Sequence, residues 1–216
     1  MTRNELGPVE PSDFEAIIFD CDGTLADTMP AHYVAWLKVT TQYGLRLDED
    51  RFYSLGGRPS DKILEMLAEE QGIQIDAAAV AIEKEKAFIE SMDMVEPIRP
   101  VTDVVHQYRG KIPLAVATGA MRWVMDRTLI QIGLEGMFDA SVTAEDTYRH
   151  KPFPDVFLEA ARLLGVEPSK CCVYEDADLG VEAAHQAGMR VIDVRDFHQP
   201  RRVTAADGSL LAIPGA

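Results

Sequence analysis

The apolar positions fall into two regimes along the chain. Ile17, Ile18 and Phe19 form a short unbroken apolar run, the pattern of a strand buried on both faces of a parallel sheet. Over residues 28–44 the pattern becomes helical, with Ala31, Tyr33, Val34, Trp36, Leu37 and Tyr43 at mostly helical spacing. Asp27 or Thr28 is placed to cap that helix, and Pro30 suits its first turn. Leu55-Gly56-Gly57-Arg58-Pro59 breaks the pattern. Helices are expected again over residues 60–71, with Ile63, Leu64, Met66 and Leu67 apolar, and over residues 76–92, with Val80, Ile82, Phe88 and Ile89. No strand pattern interrupts residues 28–94. Val95-Glu96-Pro97-Ile98-Arg99-Pro100 reads as a linker, because prolines cannot sit inside a helix.

Beyond the linker, strands and helices alternate. Strands are expected over residues 112–117, 140–143, 171–174 and 191–194. Helices are expected over 120–132, 154–164 and 179–187, ending at Gly133, Gly165 and Gly188. This alternation predicts an α/β fold, a parallel sheet with helices on both faces. The all-helical stretch then forms an inserted cap: a Rossmann-like core from residues 1–27 and 95–216, and a helical cap from residues 28–94. The tail beyond Asp196 shows no clear pattern.

Composition narrows the class of partner. Among 216 residues 47% are hydrophobic, enough for a sizeable core, and the formal net charge is −15 with a pI near 4.7. Nucleic acid and anionic membranes both call for a basic surface, so neither is expected as a partner. Cys21, Cys171 and Cys172 form no spaced disulfide framework. Residues 1–13 hold no apolar signal core, and no run is long enough to span a bilayer. A cytoplasmic monomer is the expectation.

The chemistry lies at the ends of the strands. The first strand runs into Asp20-Cys21-Asp22-Gly23-Thr24-Leu25, placing Asp20 and Asp22 on the rim of the sheet where open α/β folds put their sites. Two such carboxylates repel unless a cation or a shared proton intervenes; alternatively the cluster serves only turn and cap roles. Cys21, between them, is disfavoured as a nucleophile because carboxylates raise a thiol's pKa. The second strand ends at Thr118-Gly119, a hydroxyl followed by a turn whose backbone N–H groups suit an anion. After the third come Lys151-Pro152, and after the fourth Glu175-Asp176-Ala177-Asp178. Thr118 also has the reading of a helix cap and Lys151 that of a surface lysine. Asp178 is expected to cap the following helix. Several hard oxygen donors suit Mg²⁺, which keeps waters and a phosphate in its shell, while a lysine and a hydroxyl suit further phosphate oxygens. An aspartate can attack phosphorus once that charge is neutralised.

With these four motifs in order, the chain resembles the haloacid dehalogenase superfamily, in the subgroup with a helical cap after the first motif. Its likeness spans about residues 16–194 and is greatest to β-phosphoglucomutases and, more closely, to bacterial fructose-1-phosphate/6-phosphogluconate phosphatases. The resemblance implies a HAD-like core acting on a small phosphorylated metabolite. Asp20 is then nucleophile and metal ligand; Asp22 is general acid, then base, with its backbone carbonyl on the metal. Glu175 and Asp176 complete the Mg²⁺ site, and Thr118, Gly119 and Lys151 grip the phosphoryl group. From the cap, His32, Gly57 and Lys84 are implied substrate contacts. Ala177 stands where the family often has Ser, and Ser60 stands where a mutase's cap arginine is expected, with Arg58 two residues away. A phosphosugar mutase is the alternative activity. A non-catalytic binding module would need a lost catalytic residue, and none is lost.

Overall fold

The computed structural model describes residues 14–204. Its centre is a five-stranded sheet, in the order β5-β4-β1-β6-β7, with every pairing parallel. The strands are β1 (Ala16–Phe19), β4 (Leu114–Ala117), β5 (Ala140–Val142), β6 (Cys171–Glu175) and β7 (Arg190–Asp193). Two remaining strands, β2 (Ala26–Asp27) and β3 (Glu96–Pro97), pair antiparallel with each other.

The unbroken apolar run of β1 is explained by the layer on each side of it. Ile17 and Phe19 point into a cluster with Val101, Val105 and Tyr108 of α5 (Arg99–Tyr108) and Met125 and Leu129 of α6 (Arg122–Gln131). Ala16 and Ile18 point the other way, onto Val156, Phe157 and Ala160 of α7 (Asp155–Leu164) and Ala183 and Ala184 of α8 (Asp178–Gln186). Alternate residues of one strand thus feed two cores. Phe19 is fully buried and stacks on Tyr174 at 5.2 Å, with Phe138 edge-on at 6.0 Å.

Between β2 and β3 lies the helical insertion: α1 (Met29–Gln42), α2 (Glu49–Ser54), α3 (Ser60–Gln71) and α4 (Ala77–Glu90). It has its own apolar cluster, including Tyr33, Trp36, Phe52, Leu64, Leu67 and Phe88. The two chain crossings into this unit run side by side as the β2–β3 pair.

Several expectations are corrected by the fold. The stretch read as a linker turns into α5 from Arg99, with Pro100 in its first turn, where the missing N–H costs nothing. The six residues of α2 were too short to show periodicity. Thr28 occupies the N-cap position of α1 without a side-chain cap bond. Asp178 does not cap α8 either: Ala177 holds that position, and Asp178 lies in the first turn, paired with Arg195 at 2.6 Å. α8 has no side-chain cap bond; just ahead of it Glu175 Oε2 accepts from Asp176 N at 2.5 Å and Ala177 N at 2.7 Å, which fixes the turn leading into the helix.

Because Phe19 joins β1 to both β6 and the α5–α6 layer, Phe19→Ala is expected to cost about 3–5 kcal/mol of stability. A urea midpoint titration checks this; a loss under about 1 kcal/mol would mean that the sheet centre repacks.

Candidate active site

Four strands deliver their C-terminal ends to one rim. Asp20 follows β1, Thr118 follows β4, Lys151 lies beyond β5, and Glu175 and Asp176 close β6. Parallel pairing makes this inevitable, since every strand then ends on the same edge. Lys151 is fully enclosed and donates to Asp20 Oδ1 at 2.6 Å and to Glu175 Oε1 at 2.8 Å. Its peptide bond to Pro152 is cis. Ligand oxygens of Asp20, Glu175 and Asp176 all lie within 4.8 Å of one another. Thr24, from the same loop as Asp20, donates to Asp176 Oδ1 at 3.1 Å.

The electrostatics follow from burial. Desolvation pushes the Asp20 carboxyl up to about 7, with Glu175 and Asp22 adding to the rise and Lys151 opposing it. Desolvation, then the charges of Glu175 and Asp20, push Asp176 well above the carboxylate range. For Lys151 burial favours the neutral amine, but Asp20 and Glu175 outweigh it and hold the ammonium. One lysine faces three carboxylates, a set that lacks positive charge. Cys21 is buried, and desolvation followed by Asp22 and Asp20 raises its thiol well above the usual value, which leaves it inert.

A second network descends from the cap. His32 Nε2 meets Asp22 Oδ1 at 3.1 Å, and His32 Nδ1 meets Lys84 Nζ at 2.8 Å. An ammonium only donates, so Nδ1 of His32 accepts and its Nε2–H donates to Asp22. Lys84 also reaches Glu85 Oε1 at 3.1 Å, and Glu85 Oε1 accepts from Ser60 Oγ at 2.6 Å. His32 stacks on Phe88 at 3.7 Å between centroids. Burial works to raise the Asp22 carboxyl, but His32 and, more weakly, Lys84 outweigh it and hold it below its ordinary value.

The two networks face each other across one cavity of about 80 Å³, lined by Asp20, Asp22, His32, Lys84, Thr118 and Asp176 among others. Gly57, Gly119, Arg58 and Ser60 line it too. Only Lys151 of the expected residues is absent from the wall; it acts from beneath, through Asp20 and Glu175. Thr118 Oγ1 accepts from Ala120 N at 3.0 Å, a turn bond ahead of α6; Met121 holds the N-cap position without a side-chain bond, so Thr118 is not that helix's cap. The cap is pressed close: a Cβ on Gly119 would stand 2.9 Å from the Gly57 carbonyl oxygen. Lys84 is 3% exposed, so it is no solvated helix-face lysine. Sequence reasoning missed Glu85, Ser60's bond to it, and Thr24. Their signal was weak, because each partner lies on another element.

With this geometry in view, comparison with known proteins is decisive. The family model of haloacid dehalogenase-like hydrolases matches residues 17–194. The chain belongs to that family. Fructose-1-phosphate phosphatase YqaB of Escherichia coli (strain K12) is 42% identical over 184 residues, covering 84% of this chain and 97% of that protein. A phosphorylated carbohydrates phosphatase of Thermotoga maritima is 34% identical over 182 residues, 82% of this chain and 83% of that protein. In three dimensions the chain is similar to a β-phosphoglucomutase from Clostridium difficile, with TM-score 0.77, 25% identity, and 83% and 84% of the two chains covered. The chain is a phosphatase-type enzyme of this family. Among the described residues no helix is long and apolar enough to cross a membrane.

One glycine carries a testable load. A Cβ on Gly180, in the first turn of α8, would fall 1.6 Å from Glu175 Oε1. In an open helix Gly→Ala gains roughly 1 kcal/mol. Here Gly180→Ala is expected instead to displace Glu175, and with it Lys151, lowering kcat/KM at least about tenfold. A raised Tm with unchanged kcat/KM would show that Glu175 moves aside freely.

Proposed function

We propose that this protein is a Mg²⁺-dependent phosphatase of small sugar phosphates, of the fructose 1-phosphate or 6-phosphogluconate type, working through an aspartyl-phosphate on Asp20. The observation that carries the proposal is the division of the two aspartates. Asp20 is held from the core by Lys151 at 2.6 Å, whereas Asp22 is held from the cap by His32 at 3.1 Å. Two carboxylates two residues apart thus have separate partners and can take separate roles. The sugar-phosphate phosphatases among its relatives support the substrate class.

The donor set fits Mg²⁺. It is all oxygen, it is short of positive charge, and Asp20 and Asp176 cannot both be ionised there without a cation. Both oxygens of Glu175 are already engaged, by Lys151 and by two backbone amides. Asp20 and Asp176 are therefore assigned as direct ligands, joined by the Asp22 carbonyl, with Glu175 bracing them. Bound there, Mg²⁺ would supply charge neutralisation for a carboxylate and a phosphate that otherwise repel.

The chain's own groups do the rest. An Asp20 oxygen attacks phosphorus while the bond from phosphorus to the sugar oxygen breaks. Asp22, which His32 holds ionised before substrate arrives, takes up a proton as the anionic ester binds beside it and gives that proton to the departing oxygen. Lys151 offsets the charge on Asp20, and Thr118 and the Gly119 amide hold the phosphoryl oxygens. Once the sugar has left, Asp22 takes a proton from water, the water attacks phosphorus, and phosphate departs with Asp20 restored. His32 keeps Asp22 aimed from the cap, and Lys84 fixes the tautomer that lets His32 do so. Gly57 lets the cap lie close over the core and exclude bulk water.

Phosphate release from fructose 1-phosphate, 6-phosphogluconate, β-glucose 1-phosphate and phosphoglycolate, each with and without Mg²⁺, tests the reading. Mg²⁺-dependent release favouring one sugar phosphate is expected. Glucose 6-phosphate formed from β-glucose 1-phosphate with a bisphosphate activator, and no phosphate release, would make the enzyme a mutase. Asp20→Asn is expected to abolish turnover with the fold intact, and Asp22→Asn to slow it at least about a hundredfold. Normal turnover in either variant would remove that residue from its role.

A further inference from the structure

The matched family region ends at residue 194, and the chain continues across the surface to the cap. At the core end this segment is fastened by Arg195, which pairs with Asp193 at 2.7 Å and with Asp178 at 2.6 Å. His198 N donates to Val194 O at 2.9 Å, and Gln199 Nε2 donates to Arg195 O at 2.7 Å. The segment then passes the hinge, where His198 Nε2 lies 3.8 Å from Asp27 Oδ1.

At the cap end it docks on α2. Glu49 is buried, at 5% exposed, and its carboxylate accepts from Val203 N at 2.8 Å, from Thr204 N at 3.1 Å, and from the Thr204 hydroxyl. All three of those donors come from the tail. A buried carboxylate stays charged only where such donors replace its water. Val203 enters the cap's apolar cluster, 5% exposed. The Arg202 guanidinium lies over the Tyr53 ring at 4.3 Å and pairs with Asp50 at 3.0 Å.

On the cap-closing reading, turnover includes movement of the cap. The site cavity, about 80 Å³, is smaller than the roughly 300–1,000 Å³ of ordinary ligand pockets, so a lifted cap gives a sugar phosphate more room. The β2–β3 hinge allows that movement, and residues 195–204 form a third tie between the two bodies. That tie also walls a second cavity of about 220 Å³, lined by Met29, Tyr53, Gly56, Asp176, Arg195 and Gln199, which touches the acidic cluster at Asp176.

We propose that residues 195–204 are a strap that draws the cap onto the active site, and that Glu49 is the positioning residue that fastens it. Glu49 touches none of the groups assigned to chemistry. It acts through the tail and α2 on the loop carrying Gly56 and Gly57, which meets Ala177 and Gly119 of the core. Its kinetic consequence rests on the cap-closing phosphatase reading; the physical tie does not.

Hydrogen–deuterium exchange of the full chain, with kinetics on the favoured sugar phosphate, tests the strap. Glu49→Ala is expected to speed exchange in residues 198–204 and in residues 53–58 at least about tenfold. KM should rise severalfold while kcat holds or increases, because a looser cap binds substrate less and frees product sooner. Val203→Ser, made on the tail side, should do the same, and it decides the matter if Glu49→Ala does not fold. Unchanged exchange in residues 198–204 would overturn the strap. Faster exchange with KM and kcat both unchanged would overturn its role in positioning the cap. Absence of turnover by the parent protein on every ester would instead count against the phosphatase reading, with the exchange data still deciding whether the tie exists.

Discussion

Lys151 is the charge around which the site is built. Three carboxylates from two strands, Asp20, Glu175 and Asp176, converge within a few ångströms in a region that excludes water. A fully enclosed ammonium, 2.6 Å from one and 2.8 Å from another, is what lets that convergence exist in the protein alone. The requirement propagates outward. Glu175 must fold back over its own backbone to reach Lys151, and only the missing side chain of Gly180 leaves it room. In the same posture its other oxygen accepts the backbone amides of Asp176 and Ala177, so one side chain braces both the cluster and the turn that leads into α8. The residual shortage of positive charge, which an incoming phosphate ester would deepen, is what a divalent cation would answer.

Against that fixed core the cap supplies a different kind of order. Its link to the chemistry is a chain of side chains, Ser60 to Glu85 to Lys84 to His32 to Asp22, running from α3 and α4 through α1 to the core loop. Each bond fixes the direction of the next, because Lys84 can only donate and His32 must therefore accept on one nitrogen and donate from the other. Asp22 is thus held from the cap, whereas Asp20 is held from the core. The glycine contact between Gly57 and Gly119 sets how far down the cap comes, and the tail fastened at Glu49 supplies a tie across the gap.

The legible parts of this protein were those that depend on local pattern. The β1 run, the strand–helix alternation and the strand-end motifs all rest on neighbours in sequence, and the site residues they named meet at one cavity. The α5 helix was hidden because Pro97 and Pro100 look like breakers until Pro100 is placed in a first turn. Asp178 looked like a cap, yet it falls inside the first turn of α8, where it pairs with Arg195 from beyond β7. Lys84 was named only through the family resemblance, and its burial beside His32, 52 residues away, follows from how α1 and α4 pack.

The sequence by itself determined the fold class, the order of its elements and the kinds of groups on the catalytic rim. Hydrophobic period and turn chemistry are properties of adjacent residues, and parallel strands necessarily end on one edge. The tertiary structure alone decided which aspartate answers to the core and which to the cap, and that Glu175 braces Lys151. It likewise decided that a tail without any pattern of its own would give a buried glutamate its donors. Those are distance relations between residues 10–155 positions apart, set by how separate elements pack.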